Sequence, residues 1–158
     1  MRLTTSSFEP GGTIPAQFTC EGKDVSPEFE WQHAPRETKS FVLILHDPDA
    51  PMADGFTHWV FYNIPPNISR LDANRPREPK IPGLGIQGKN DAGKIGYIGP
   101  CPPSGTHRYF VRLYALRSEL ALDPGASRQE VEAAMQGHVI EEAELMGTYA
   151  KSKAQAAR

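Results

Sequence analysis

Before residue 120 the apolar positions fall in short blocks cut by proline and glycine. Glu28 to Trp31 alternates polar and apolar, the period of a half-buried strand. Phe41-Val42-Leu43-Ile44-Leu45 is continuously apolar, as in a central strand covered on both faces. Thr57 to Ile64 and Arg108 to Leu116 are rich in aromatic and β-branched residues and predict two further strands. Pro65-Pro66 and Arg75-Pro76 mark turns. No internal repeat or low-complexity linker separates these blocks, so they are expected to form one sheet system or sandwich.

After Leu120 the period changes. Ser127 with Glu130 three positions on is the signature of a capping box at a helix start. Val131, Ala134, Met135, His138, Val139, Glu142, Leu145, Met146 and Tyr149 then follow three- and four-residue steps. The spacing predicts an amphipathic helix, interrupted near Gly137 and fading after Gly147. Its Met and Tyr members read as core, and His138 as a packed or capping histidine. Residues 151–158 are polar and expected to fray. The fold class is therefore mainly β with a C-terminal helix, in a single domain over residues 1–158.

A formal net charge of -2, with no long basic run, argues against a nucleic-acid partner. The 15 prolines are close to twice the usual share of about 5% and imply many stiff loops. The first residues, Met1 to Phe8, lack an apolar run long enough for a signal peptide or membrane span. The expectation is a cytoplasmic protein without integral membrane contact. Cys20 and Cys101 are too few for a disulfide framework and lack zinc-ligand spacing. They read as two reduced thiols, with a redox-sensitive pair as the alternative.

The chemistry concentrates at predicted strand ends. His107 and Tyr109, two apart at the start of a strand, project from one face while Arg108 points to the other. The preceding stretch, Gly99 to Thr106, is mostly Gly and Pro, a backbone suited to presenting N–H groups to an anion. Asp47 and Asp49 flank Pro48 just beyond the apolar strand and share a face if the segment is extended. Ala50-Pro51 is a candidate cis peptide, and His58 opens the next strand. Imidazole N–H, phenol O–H and backbone amides are donors suited to phosphate or carboxylate. Two ionised aspartates would repel such an anion, unless one orients a histidine through Nδ1–H or meets a cationic group on the same ligand. A zwitterion with adjacent phosphate and ammonium satisfies both halves.

On these residues the chain resembles the phosphatidylethanolamine-binding protein family, specifically its bacterial Raf kinase inhibitor-like members. The resemblance runs from Cys20 through Ser26-Pro27 to Trp31, then Asp47 to Pro51, His58-Trp59 to Asn63, Gly99 to Tyr109, and the C-terminal segment. It implies an antiparallel β-sandwich-like body with peripheral helices. It also implies an anion pocket formed by Asp47, Asp49, His58, His107 and Tyr109, with backbone donors from the loop around Gly99 and Pro100. The implied function is non-enzymatic, cofactor-free capture of a phosphate-bearing or other small anion such as phosphorylethanolamine. Regulation of a protein partner, a kinase or protease, and a homodimer are compatible with it. The rival is a hydrolase using the same Asp/His cluster for acid–base or metal chemistry. No activated nucleophile is evident, Ser104 lacking a nucleophile elbow and Cys101 lying among prolines.

Overall fold

A computed structural model describes residues 1–152. Among these residues run strands β1 (Arg2–Thr4), β2 (Phe29–Gln32), β3 (Ser40–Asp47), β4 (Phe56–Ile64), β5 (Arg70–Leu71), β6 (Lys80–Ile81), β7 (Gly85–Gln87), β8 (His107–Leu116) and β9 (Val139–Tyr149). One α-helix, α1 (Arg128–Met135), precedes β9. The strands form a three-stranded sheet ordered β1-β2-β5 and a six-stranded sheet ordered β6-β7-β4-β3-β8-β9. Every strand pairing within the sheets is antiparallel.

The apolar block of β3 is central because both its faces meet hydrophobic layers. Phe41, Leu43 and Leu45 join Phe29, Trp31, Leu71, Trp59 and Leu113 in the core between the two sheets. Val42 and Ile44 face the other way, into a second core under Val131 and Met135 of α1. All eight residues of β3 are buried, as a strand covered on both sides must be. The layers are therefore small sheet, large sheet and helix, and no helix among the described residues is long and apolar enough to cross a membrane.

The capping box is present: Ser127 Oγ accepts from Glu130 N–H, and Glu130 accepts from Ser127 N–H. The helix itself is far shorter than its predicted span. It ends at Met135, and Gly137 (φ 81°) turns the chain into β9, an eleven-residue strand paired along β8. Leu145, Gly147 and Tyr149 face inward at every second position. The three- and four-residue steps beyond Gly137 are thus a coincidence of spacing, and pairing with β8 decides the conformation. His138 lies between helix and strand, its ring hydrogen-bonded to Ser118 Oγ at 3.1 Å.

Two smaller expectations are corrected, and one residue of the C-terminal tail is placed. The cysteines are not two reduced thiols but a disulfide, Cys20–Cys101, joining segments 81 residues apart that only the fold brings together. The Ala50–Pro51 peptide is trans. Of the tail expected to fray, Ser152 is anchored by Glu21, which accepts from its N–H and Oγ–H. Residues 153–158 lie outside the described residues.

Closing a loop of 81 residues restrains the unfolded chain by about 4.5 kcal/mol on the chain-entropy reckoning, and measured effects run about 2–4 kcal/mol. Reduction, or Cys20→Ser with Cys101→Ser, is expected to lower unfolding stability on that scale. Urea titration with and without a dithiol tests this: the wild-type midpoint should fall in reductant and the double variant's should not move.

Candidate functional site

The ends of β3, β4 and β8 meet at one edge of the large sheet. On β8 the alternation is as the spacing requires: His107 and Tyr109 are buried and Arg108 is exposed. Asp47, the last residue of β3, is 2% exposed on the same inner face. His58 reaches that face through an irregularity. Leu45 pairs with Trp59 but His46 pairs with Thr57, so His58 is an extra residue in β4. Such a bulge re-aims a side chain. It puts His58 and Trp59 on the inner side and turns Thr57 outward, where its Oγ1 lies 3.0 Å from His46 Nδ1.

These residues line a cavity of about 290 Å³. His58 and Tyr109 rings meet edge-to-face at 5.3 Å, and His107 stacks over Tyr109 at 6.4 Å. Asp47 Oδ2 lies 2.6 Å from His107 Nδ1, and its Oδ1 accepts from Asp49 N–H at 2.7 Å. Both carboxylate oxygens are thereby committed, and an ionised Asp47 makes the bonded nitrogen of His107 the protonated one. His58 Nδ1 is 2.8 Å from the carbonyl of Ile98, an acceptor only, so it too carries a proton. Each ring therefore keeps Nε2 for other contacts.

Burial separates the roles. Desolvation pulls His58 down to about 4, so its ring is neutral at physiological pH and Nε2 is an acceptor. Tyr109 is raised, chiefly by burial, and keeps its proton. Its Oη is buried without a hydrogen-bond partner among the described residues. A buried unmatched hydroxyl costs about 1–3 kcal/mol, and here it belongs to a side chain lining the cavity.

Two predicted residues lie elsewhere. Asp49 does not share the inner face with Asp47. Its carboxylate grips Arg108, accepting from Nε at 2.9 Å, Nη2 at 2.8 Å and the backbone N–H at 2.9 Å. Arg108 holds its pKa down to about 2. Asp49 thus latches the 48–55 loop to β8 beside the cavity. Pro100 is not part of the lining; its carbonyl accepts from Cys20 N–H at 3.1 Å.

The loop also supplies fewer backbone donors than its composition promised. Gly99 lines the cavity, but its N–H donates to Asp24 Oδ1 at 2.7 Å, and Pro100, Pro102 and Pro103 have none. Gly99 is required for a close approach: a Cβ there would collide with Asp24 and the carbonyl of Phe18.

What sequence reasoning missed is mostly apolar. Phe56, Met52, Ile98, Pro102 and Pro103 complete the walls. Phe56 was within reach, since it stands two before His58, the same-face spacing that singled out His107 and Tyr109. Asp24 and the Ile98 carbonyl carried no local signal, because they act across 75 and 40 positions of sequence.

Residues 4–150 match the family model for phosphatidylethanolamine-binding protein. The UPF0098 protein of Methanothermobacter thermautotrophicus is 51% identical over 149 residues, covering 94% of this chain and 98% of that protein. The UPF0098 protein of Aquifex aeolicus is 48% identical, covering 94% and 88%. Among solved structures, a Chlamydia trachomatis homologue of phosphatidylethanolamine-binding protein superposes with a TM-score of 0.88 at 42% identity, covering 96% of this chain and 97% of the other. The Escherichia coli protein YbcL, described as a member of the mammalian family, gives 0.89 at 31% identity, covering 96% and 98%. The chain belongs to the phosphatidylethanolamine-binding protein family.

Two measurements check the site's electrostatics. The folded pKa of His58 lies below the unfolded one, so between about pH 6.5 and 4 the unfolded chain binds the extra proton and stability falls as pH falls. The depression corresponds to about 3 kcal/mol at neutral pH, as an order of magnitude. The acid limb of urea stability should flatten over that window in His58→Gln; an unchanged limb contradicts the buried neutral ring. Tyr109→Phe removes an unmatched hydroxyl, so thermal unfolding should show stability unchanged or higher by about 1 kcal/mol.

Proposed function

We propose that this member of the phosphatidylethanolamine-binding protein family is a non-enzymatic binding module. Its cavity takes a small phosphate-bearing or other anionic group, best exemplified by the zwitterion phosphorylethanolamine. The observation that carries the reading is the unpartnered hydroxyl of Tyr109, whose ring contacts two histidine rings with their Nδ1 atoms already held. Tyr109 O–H donates to a phosphoryl oxygen. His107, its Nδ1 held by Asp47, keeps Nε2 for the phosphoryl group. His58 Nε2, neutral, accepts from an ammonium or a protonated phosphoryl oxygen. Of the two roles weighed for the acids, orientation of a histidine fits Asp47, and neither fits Asp49.

The walls fit the same ligand. Phe56, Ile98, Met52 and the prolines suit an apolar portion attached to a polar head. Support for binding over hydrolysis comes from the committed groups. Cys101, the thiol in the wall, is tied to Cys20 and is no free nucleophile. Asp47 has both oxygens engaged before any metal or water arrives. A protein partner for the filled cavity and a cytoplasmic setting complete the proposal; the setting requires the disulfide to persist against cellular reductants.

Calorimetric titration with phosphorylethanolamine tests it. His107→Gln and Tyr109→Phe should each weaken binding by about 1.5–3 kcal/mol, the scale of a hydrogen bond to a charged group. Asp47→Asn should weaken it too, by releasing the His107 ring. The proposal fails if all three variants bind as wild type does, or if phosphorylethanolamine is turned over.

A further inference from the structure

A second cavity, of about 270 Å³, shares Ile98 with the first. Its charge is unlike the rest of this slightly acidic chain: Lys23, Arg77 and Lys94 line it against a single carboxylate, Asp24. We infer that this cavity is a separate site for a small phosphoryl anion, independent of the ligand proposed for the first.

The guanidinium of Arg77 is fixed before any ligand arrives. Its Nε donates to the carbonyl of Tyr97 at 2.7 Å, and Nη2 donates to the backbone carbonyl of Asp24. Asp24 Oδ2 lies 3.6 Å away, an ion pair longer than a hydrogen bond. Asp24 is itself occupied, since its Oδ1 accepts from Gly99 N–H at 2.7 Å. Arg77 therefore keeps unmatched N–H groups on a planar fork held in place, the arrangement that suits phosphate.

Lys94 is placed by a built turn rather than a loose loop. Asn90, buried, accepts from the N–H groups of Ala92 and Lys94 at 2.9 and 3.3 Å and donates to the carbonyl of Gly96 at 2.9 Å. Lys23 precedes Asp24, whose backbone is left-handed (φ 57°). Neither lysine ammonium has an ion-pair or hydrogen-bond partner among the described residues. Three cations against one engaged carboxylate leave a surplus of two charges, which a phosphate dianion matches. The walls are the rims of three loops, so the anion enters from solvent without displacing packed side chains.

The test is an amide-resolved NMR titration of the whole ¹⁵N-labelled chain with inorganic phosphate at pH 7.5 and low ionic strength. The amides of Lys23, Lys94 and Gly96 should shift together and saturate, while sodium chloride of equal ionic strength leaves them in place. Lys23→Gln with Lys94→Gln should weaken that titration at least tenfold, and Arg77→Lys should weaken it through loss of the fork. His107→Gln should leave these shifts intact, which separates this site from the first cavity. The inference is overturned if chloride reproduces the shifts, if the double-lysine variant titrates as wild type does, or if only amides lining the first cavity respond.

Discussion

The cavity depends on the Asp47 carboxylate and its two bonds. A carboxylate 2% exposed is costly unless every lone pair it turns to the protein is answered. Here Oδ1 is answered by the N–H of Asp49, which bends the chain out of β3, and Oδ2 by His107, which opens β8. One buried charge therefore sets the direction of the 48–55 loop, the relation of two strand ends and the tautomer of a ring in the wall. Removing it would unmake all three together, because each is held by a different bond to the same group.

Around that anchor, function is placed by departures from regular structure. The bulge that admits His58 breaks the β3–β4 register, and the Pro-rich stretch after Gly99 cannot pair as a strand. Such departures persist only when the surroundings hold them. The Cys20–Cys101 bond and the Asp24–Gly99 and Cys20–Pro100 hydrogen bonds tie the stretch to one neighbouring segment, residues 20–24. The Asp49–Arg108 pair does the same for the opposite wall. That pair is exposed, so its value lies in geometry: two parallel bonds and a backbone contact fix orientation even where water screens their strength.

The legible part of the sequence was the local part. Four strands and the capped helix start followed from alternation, apolar runs and one Ser/Glu pair, because those signals act within a few residues. Asp47, His58, His107, Tyr109 and Gly99, which line one cavity, stood out for the same reason, each sitting at a recognisable strand end or loop. The failures were non-local. A helical pattern predicted to fade only after Gly147 became a strand beyond Gly137 because β8 lay open beside it. The paired cysteines, 81 residues apart, and the grip of Arg108 on Asp49 needed the fold before they could be seen. The short motif around Asp47 carried an ambiguity that spacing could not resolve. Asp47 and Asp49 share a face only if the chain stays extended, and the Asp47–Asp49 N–H bond shows that it turns.

The selectivity open to such a cavity follows from how few polar groups remain. Prolines supply no donors, Gly99 has given its N–H to Asp24, and Asp47 has no free oxygen. Among the side chains that line it, what is left is one phenol hydroxyl and two imidazole Nε2 atoms in apolar walls. With so small a set, a ligand that leaves one member unmatched loses a large fraction of the available binding, whereas added apolar bulk costs little. A fully hydrated anion held by many backbone amides would need a different loop. For the ligand proposed above, the set calls for an acceptor toward Tyr109 and a donor toward His58. The neutrality of His58, imposed by its burial, makes the second requirement a donor rather than another negative charge.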